Sequence, residues 1–162
     1  MTILDDAITL EERARAYYEE ARGRVSDQSA GKILGLLEAE EERHAAALKR
    51  MQKGDYAAIE ASSLLKQVRG LVEGAVNAGS DSISTDASMR AILQKAMGME
   101  QETEKFYRAQ SEKADDTEAR TLFSQLAEQE QGHYLMVSSL IEYFHRPEEW
   151  VESAEFGLRP EY

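Results

Sequence analysis

Two stretches of this chain repeat each other at a single offset of 89 residues, which restricts the fold to one supersecondary unit used twice. At that offset Ile3 matches Ile92, Leu4 Leu93, Ala7 Ala96, Glu11 Glu100 and Tyr18 Tyr107; further on, Leu37 matches Leu126, Glu41 Glu130 and His44 His133. Each copy carries the three-and-four spacing of a helix face. The first runs through Leu4, Ala7, Glu11, Ala14, Tyr18 and Ala21, then through Leu34, Leu37, Glu41, His44, Leu48 and Met51. The second runs through Leu93, Ala96, Glu100, Thr103, Tyr107 and Gln110, then through Phe123, Leu126, Glu130, His133, Val137 and Leu140. The unit is therefore an antiparallel helical hairpin, with Ser26-Asp27 offering an N-cap for its second helix.

Only two prolines occur, Pro147 and Pro160, so nothing before them forces a break in a long helix. Between the copies, Leu64, Leu65, Val68, Leu71, Val72, Ala75 and Val76 form a further amphipathic run. Two hairpins packed in parallel sense are expected to need a link running the length of the bundle, and about 16 helical residues cover roughly 24 Å. Gly79-Ser80-Asp81-Ser82 reads as a loop. The expected architecture is all-α, a single four-helix bundle over residues 1–146. It comprises a hairpin over 3–53, a helical crossover over 54–86 and a hairpin over 87–146, followed by a tail over 147–162 that contains Trp150.

The net charge of −12 argues against nucleic acid and against an anionic membrane surface. No apolar run of membrane-spanning length is present, and the start MTILDDAITLEE carries acids where a signal peptide needs basic residues, so a cytoplasmic protein is expected. Cysteine is absent, which removes disulfides, thiolate metal sites and cysteine nucleophiles. Any bound metal must take oxygen and nitrogen ligands.

Glutamates and histidines interrupt the apolar stripes at matched levels. Position 26 lies midway between Glu11 and Glu41, and position 115 midway between Glu100 and Glu130, so each hairpin brings its two glutamates to one height. Glu41 with His44, and Glu130 with His133, are spaced i, i+3 and project from one face. Acids fill 31 of 162 positions, so a single Glu-x-x-His match is weak; placement on two stripes at a common offset is not. Four buried carboxylates need compensating charge, and two divalent cations supply it while two neutral imidazoles add none. One glutamate from each of two helices plus Glu-x-x-His from each of the other two is the ligand set of ferritin-like di-iron and di-manganese bundles.

Other polar residues read differently. Tyr18 and Tyr107, two turns past Glu11 and Glu100, are core aromatics whose hydroxyls need a partner, or donors to a ligand carboxylate. His145, near a helix end, reads as a residue favoured by the helix dipole rather than as a ligand. The cluster Glu38-Ala39-Glu40-Glu41-Glu42 reads mainly as a solvated face from which only Glu41 enters the stripe.

The segments LEERARAYYEEA, EAEEERHAAAL, MEQETEKFYRAQ and AEQEQGHYLM resemble the rubrerythrin branch of the ferritin-like superfamily over about residues 3–146. The resemblance implies that Glu11, Glu41, His44, Glu100, Glu130 and His133 hold two iron ions and form the catalytic site, with manganese or zinc as alternatives. It also implies that Glu41 and Glu130 bridge, and that Tyr18 and Tyr107 stand behind the ligands. Rubrerythrins proper carry in addition a cysteine-ligated rubredoxin-like domain, for which this chain has neither cysteine nor length. Electrons are therefore expected from a separate donor such as a rubredoxin-like protein. Typical rubrerythrins place an extra glutamate where this chain has Thr103, so exchange of such a carboxylate with a histidine is not implied. The expected function is reduction of hydrogen peroxide or dioxygen, in a homo-oligomer taken as a dimer. An iron-oxidising storage or delivery protein and a metal-stabilised structural bundle are the alternatives.

Overall fold

The computed structural model describes residues 2–77 and 87–145. The expected loop at Gly79–Ser82 and the tail over 147–162 lie outside the described residues. Among the described residues there are five helices: α1 (Ile3–Arg24), α2 (Gln28–Gln52), α3 (Leu64–Asn77), α4 (Ala87–Lys113) and α5 (Thr117–His145). None is long and apolar enough to cross a membrane.

Local chemistry sets the ends. Thr2 caps α1 in a reciprocal capping box with Asp5. Asp27 caps α2 by accepting from the Ala30 amide at 2.8 Å, and Asp116, its match in the second copy, accepts from the Ala119 amide at 3.1 Å ahead of α5. The duplication thus extends to the turns. After α2 the chain leaves the helical direction at Gly54, whose φ of 83° favours glycine.

The packing sense differs from the sequence expectation. Tyr18 donates to Glu100, while Glu11 accepts from Tyr107, so ascending residues of α1 meet descending residues of α4. The pairs His44 with Glu130 and Glu41 with His133 show the same reversal between α2 and α5. The two hairpins are therefore opposed, with their turns at opposite ends. That opposition is what demands a long crossover: α2 finishes at one end and α4 must start at the other. Segment 54–63 and α3, whose 14 residues cover about 21 Å, make that journey along α2 and α5.

Two apolar clusters fill the ends of the bundle. One, beside the first turn, includes Ile33, Leu34, Leu37, Leu93, Val137 and the α3 residue Val68. The other includes Leu48, Met51, Tyr107, Phe123 and Leu126. Between them lies a layer of buried glutamate and histidine.

Candidate metal centre

All six sequence-predicted residues fall in this layer. Glu11, Glu41, His44, Glu100, Glu130 and His133 are each no more than 2% exposed. Glu11 and Glu100 come from the middles of α1 and α4; each Glu-x-x-His pair comes from the middle of α2 or α5. Their donor atoms form two overlapping groups. In one, Glu11, Glu41, His44 and Glu130 lie within 4.8 Å of one another; in the other, Glu41, Glu100, Glu130 and His133 do. Glu41 and Glu130 belong to both. The imidazoles stack almost parallel, 5.3 Å between centroids.

The cross-repeat bonds follow the duplication. Tyr18 donates to Glu100 Oε1 at 2.6 Å, and Tyr107 to Glu11 Oε1, so each tyrosine serves the glutamate of the other hairpin. Both readings of the tyrosines therefore apply: each packs in an apolar cluster and holds a site carboxylate. Burial, reinforced by the carboxylates Glu100 for Tyr18 and Glu11 for Tyr107, pushes both phenols well above their ordinary range, so they remain donors. Replacing Tyr107 by Phe is expected to weaken metal affinity by about 10- to 100-fold while leaving helix content unchanged. Competition titration with zinc and a chelator measures this; equal affinities would reduce Tyr107 to a packing residue.

Protons compensate the buried charge in the absence of cations. Burial, then the charges of Glu100, Glu130 and Glu11, push the Glu41 carboxyl well up; burial, Glu11 and Glu100 do the same to Glu130. Burial also opposes the charged forms of Glu11 and Glu100, but hydrogen bonds from Glu41 and Glu130 and the charges of His44 and His133 outweigh it and hold both at about 2. Burial disfavours both imidazoliums, yet Glu11 raises His44 and Glu100 raises His133 well up. Burial and like charge thus favour a proton on Glu41 and Glu130, while the carboxylates Glu11 and Glu100 favour the protonated forms of His44 and His133.

This arrangement leaves donors unused. Glu11 Oε2, Glu41 Oε1, Glu100 Oε2, Glu130 Oε2 and both His133 nitrogens are buried without a hydrogen-bond partner among the described residues. Orphaned oxygen and imidazole donors at this density are costly unless something else takes them. Oxygen and nitrogen donors within a few ångström fit a pair of first-row divalent cations. Thr103 does not join them: its hydroxyl donates to the Met99 carbonyl at 2.9 Å, one turn back.

Glu40 corrects the sequence reading. It is not on a solvated face but 8% exposed, bonded to Arg43 and to Ser62. Segment 59–63 covers that side of α2, which no helical periodicity could show. Arg43 at i+3 was the one available signal, since it supplies the cation a buried acid needs. Gln129 was also missed. Its Oε1 accepts from His44 Nε2 at 2.8 Å and from Arg43 Nη2 at 2.6 Å, while its amide nitrogen donates to the Glu60 carbonyl at 2.9 Å. With the amide so oriented, His44 keeps a proton on Nε2, and Nδ1, which faces Glu11 and Glu130, is the nitrogen that would bind a metal on losing its own proton.

An all-helical bundle with a central glutamate–histidine layer shared by two opposed hairpins is the ferritin-like class of helical metal proteins. The family model for rubrerythrin matches residues 2–141. The chain belongs to the rubrerythrin family, whose members are di-iron carboxylate proteins. No curated protein and no solved structure matches it significantly.

Proposed function

We propose that this chain is a di-iron redox protein that reduces hydrogen peroxide with electrons from a separate donor, such as a rubredoxin-like protein. The observation that supports it most is the pair of overlapping donor groups sharing Glu41 and Glu130. In this reading Glu11 and His44 would hold one ion, Glu100 and His133 the other, and Glu41 and Glu130 would serve both. Bound ferrous iron would supply one electron per ion, and a carboxylate-rich donor set favours the ferric product.

The protein's own groups do the rest. Tyr18 and Tyr107 hold Glu100 and Glu11 in place, and Gln129 holds His44 in the tautomer that presents Nδ1. The apolar clusters on either side of the layer exclude bulk water from the two ends of the bundle. One peroxide takes two electrons and two solvent-derived protons, its O–O bond breaks, and two waters leave.

Stopped-flow mixing of the diferrous protein with each oxidant tests the proposal. Hydrogen peroxide is expected to react faster than dioxygen, at one peroxide per two electrons, and the reaction to stop after a single turnover without added reductant. Faster reaction with dioxygen, with ferric iron accumulating well beyond two per chain, would instead mark an iron-storage protein. Inertness to both would mark a bundle that uses metal for stability alone.

A further inference from the structure

The donor layer obeys the duplication, but the residues behind its two histidines do not. Arg43 has Gly132 as its match at the 89-residue offset, and Glu40 has Gln129. Gln129 and Arg43 stand between His44 and the segment over 59–63. Gln129 accepts from His44 Nε2, and Arg43 spans Glu40, Gln129 and the Glu60 carbonyl at 2.6, 2.6 and 2.8 Å. Behind His133, Gly132 contributes no side chain, and a Cβ there would meet nothing within 4 Å. A cavity of about 340 Å³ lies there, lined by Ser62, Leu65, Gln125, Glu128 and Gly132 and reaching His133 itself. His133 is 2% exposed; its Nδ1 lies 3.3 Å from Glu41 and 3.4 Å from Glu100, and among the described residues neither ring nitrogen has a hydrogen-bond partner.

Charge and size select what such a cavity would pass. Glu128 stands in its wall, Glu40 lies close to both histidines, and the charge of Arg43 is taken up by Glu40 at 2.6 Å. Ser62, Gln125 and Gln129 complete the polar wall without adding positive charge. At about 30 Å³ per water, the space holds on the order of ten water molecules, enough for a hydrated ion. An anion would meet acids there; a divalent cation would not be repelled, and would find His133 at the inner end.

Taking the buried layer as a two-metal centre, we propose that this cavity is the port through which divalent metal ions reach and leave it. The position completed by His133 then exchanges readily, while the position completed by His44 stays closed behind the Arg43–Gln129 latch.

The test uses the full chain loaded with zinc and mixed with excess chromogenic chelator, so it does not depend on any reaction with oxidants. Release is expected in two phases of one equivalent each. Gly132→Leu, which fills the cavity, should still bind two ions but slow the fast phase by about tenfold or more, since passage would then require local opening of the bundle. Gln129→Ala, which removes the part of the cavity wall that bonds His44, should accelerate the slow phase. Leu65→Trp fills the same cavity from α3 and carries the test should Gly132→Leu fail to fold. Single-phase release from the unaltered protein, or an unchanged fast phase in a filled variant that binds two ions, would overturn the port. Failure of the unaltered protein to bind two zinc ions would overturn the two-metal reading with it, whereas inertness to peroxide would leave the port standing.

Discussion

Replacing either Glu41 or Glu130 by alanine is expected to empty both metal positions, whereas Glu11→Ala should empty mainly one. The donor atoms of Glu41 and Glu130 lie within both four-residue groups, while Glu11 lies in one only. If the layer holds two ions as proposed, removing a shared carboxylate would take a ligand from each position and also a charge that separates two neighbouring cations, so binding of each ion would become harder for two reasons. Metal content after anaerobic loading with ferrous iron and gel filtration should fall below one ion per chain in Glu41→Ala and remain near one in Glu11→Ala. The metal-free variants supply the control. Glu41 is buried and hydrogen-bonds Glu11, so its removal should cost some stability, but the two apolar clusters should keep the metal-free bundle helical. A loss of metal without a loss of helix therefore reports ligation, not misfolding. Two ions retained in either shared-residue variant would show that these glutamates do not bridge.

Metal-free and metal-loaded protein are expected to respond to rising pH in opposite directions. Glu41 and Glu130 have folded values raised above 4.5, and His44 and His133 values raised above 6.5. A raised group contributes stability that is fully present below its unfolded value and lost as pH climbs through its folded one. The metal-free bundle should thus weaken from pH 4.5 upward, first through the two carboxyls and above 6.5 through the imidazoles as well. Glu11 and Glu100, held at about 2, act in the other sense: their contribution is present above 4.5 and is lost as pH falls toward 2. Metal binding displaces protons, up to about four per chain from the two carboxyls and two imidazoles, so affinity rises with pH. Acid should accordingly strip the ions. An ion at a thousand times its dissociation constant adds about 4 kcal/mol to folding stability. For a chain of this size that corresponds to a midpoint shift of about 10 °C. Calorimetry between pH 5 and 8, with excess chelator or with saturating metal, should show the two midpoints diverging as pH rises. Equal midpoints, or a gap that narrows toward pH 8, would count against cations replacing protons in this layer.

Much of this was legible in the chain itself. The period of each stripe, the 89-residue offset and the level of each glutamate relative to its turn are properties of single helices and short turns. Leu37, Glu41, His44 and Leu48 therefore declare a shared face before any packing is known. The same periodicity holds whichever way one hairpin lies against the other, so it could not show that the hairpins are opposed. Only the meeting of Tyr18 with Glu100 and of Tyr107 with Glu11, across more than 80 residues of chain, decided that. The burial of Glu40 was hidden for a related reason, since the cover comes from segment 59–63, which has no helical period to read. Inequivalence of the two halves likewise needed three dimensions. The offset sets Gly132 against Arg43 on paper, but whether a missing side chain leaves a cavity or is filled by a neighbour depends on contacts between α2, α5 and the crossover, which no local pattern encodes.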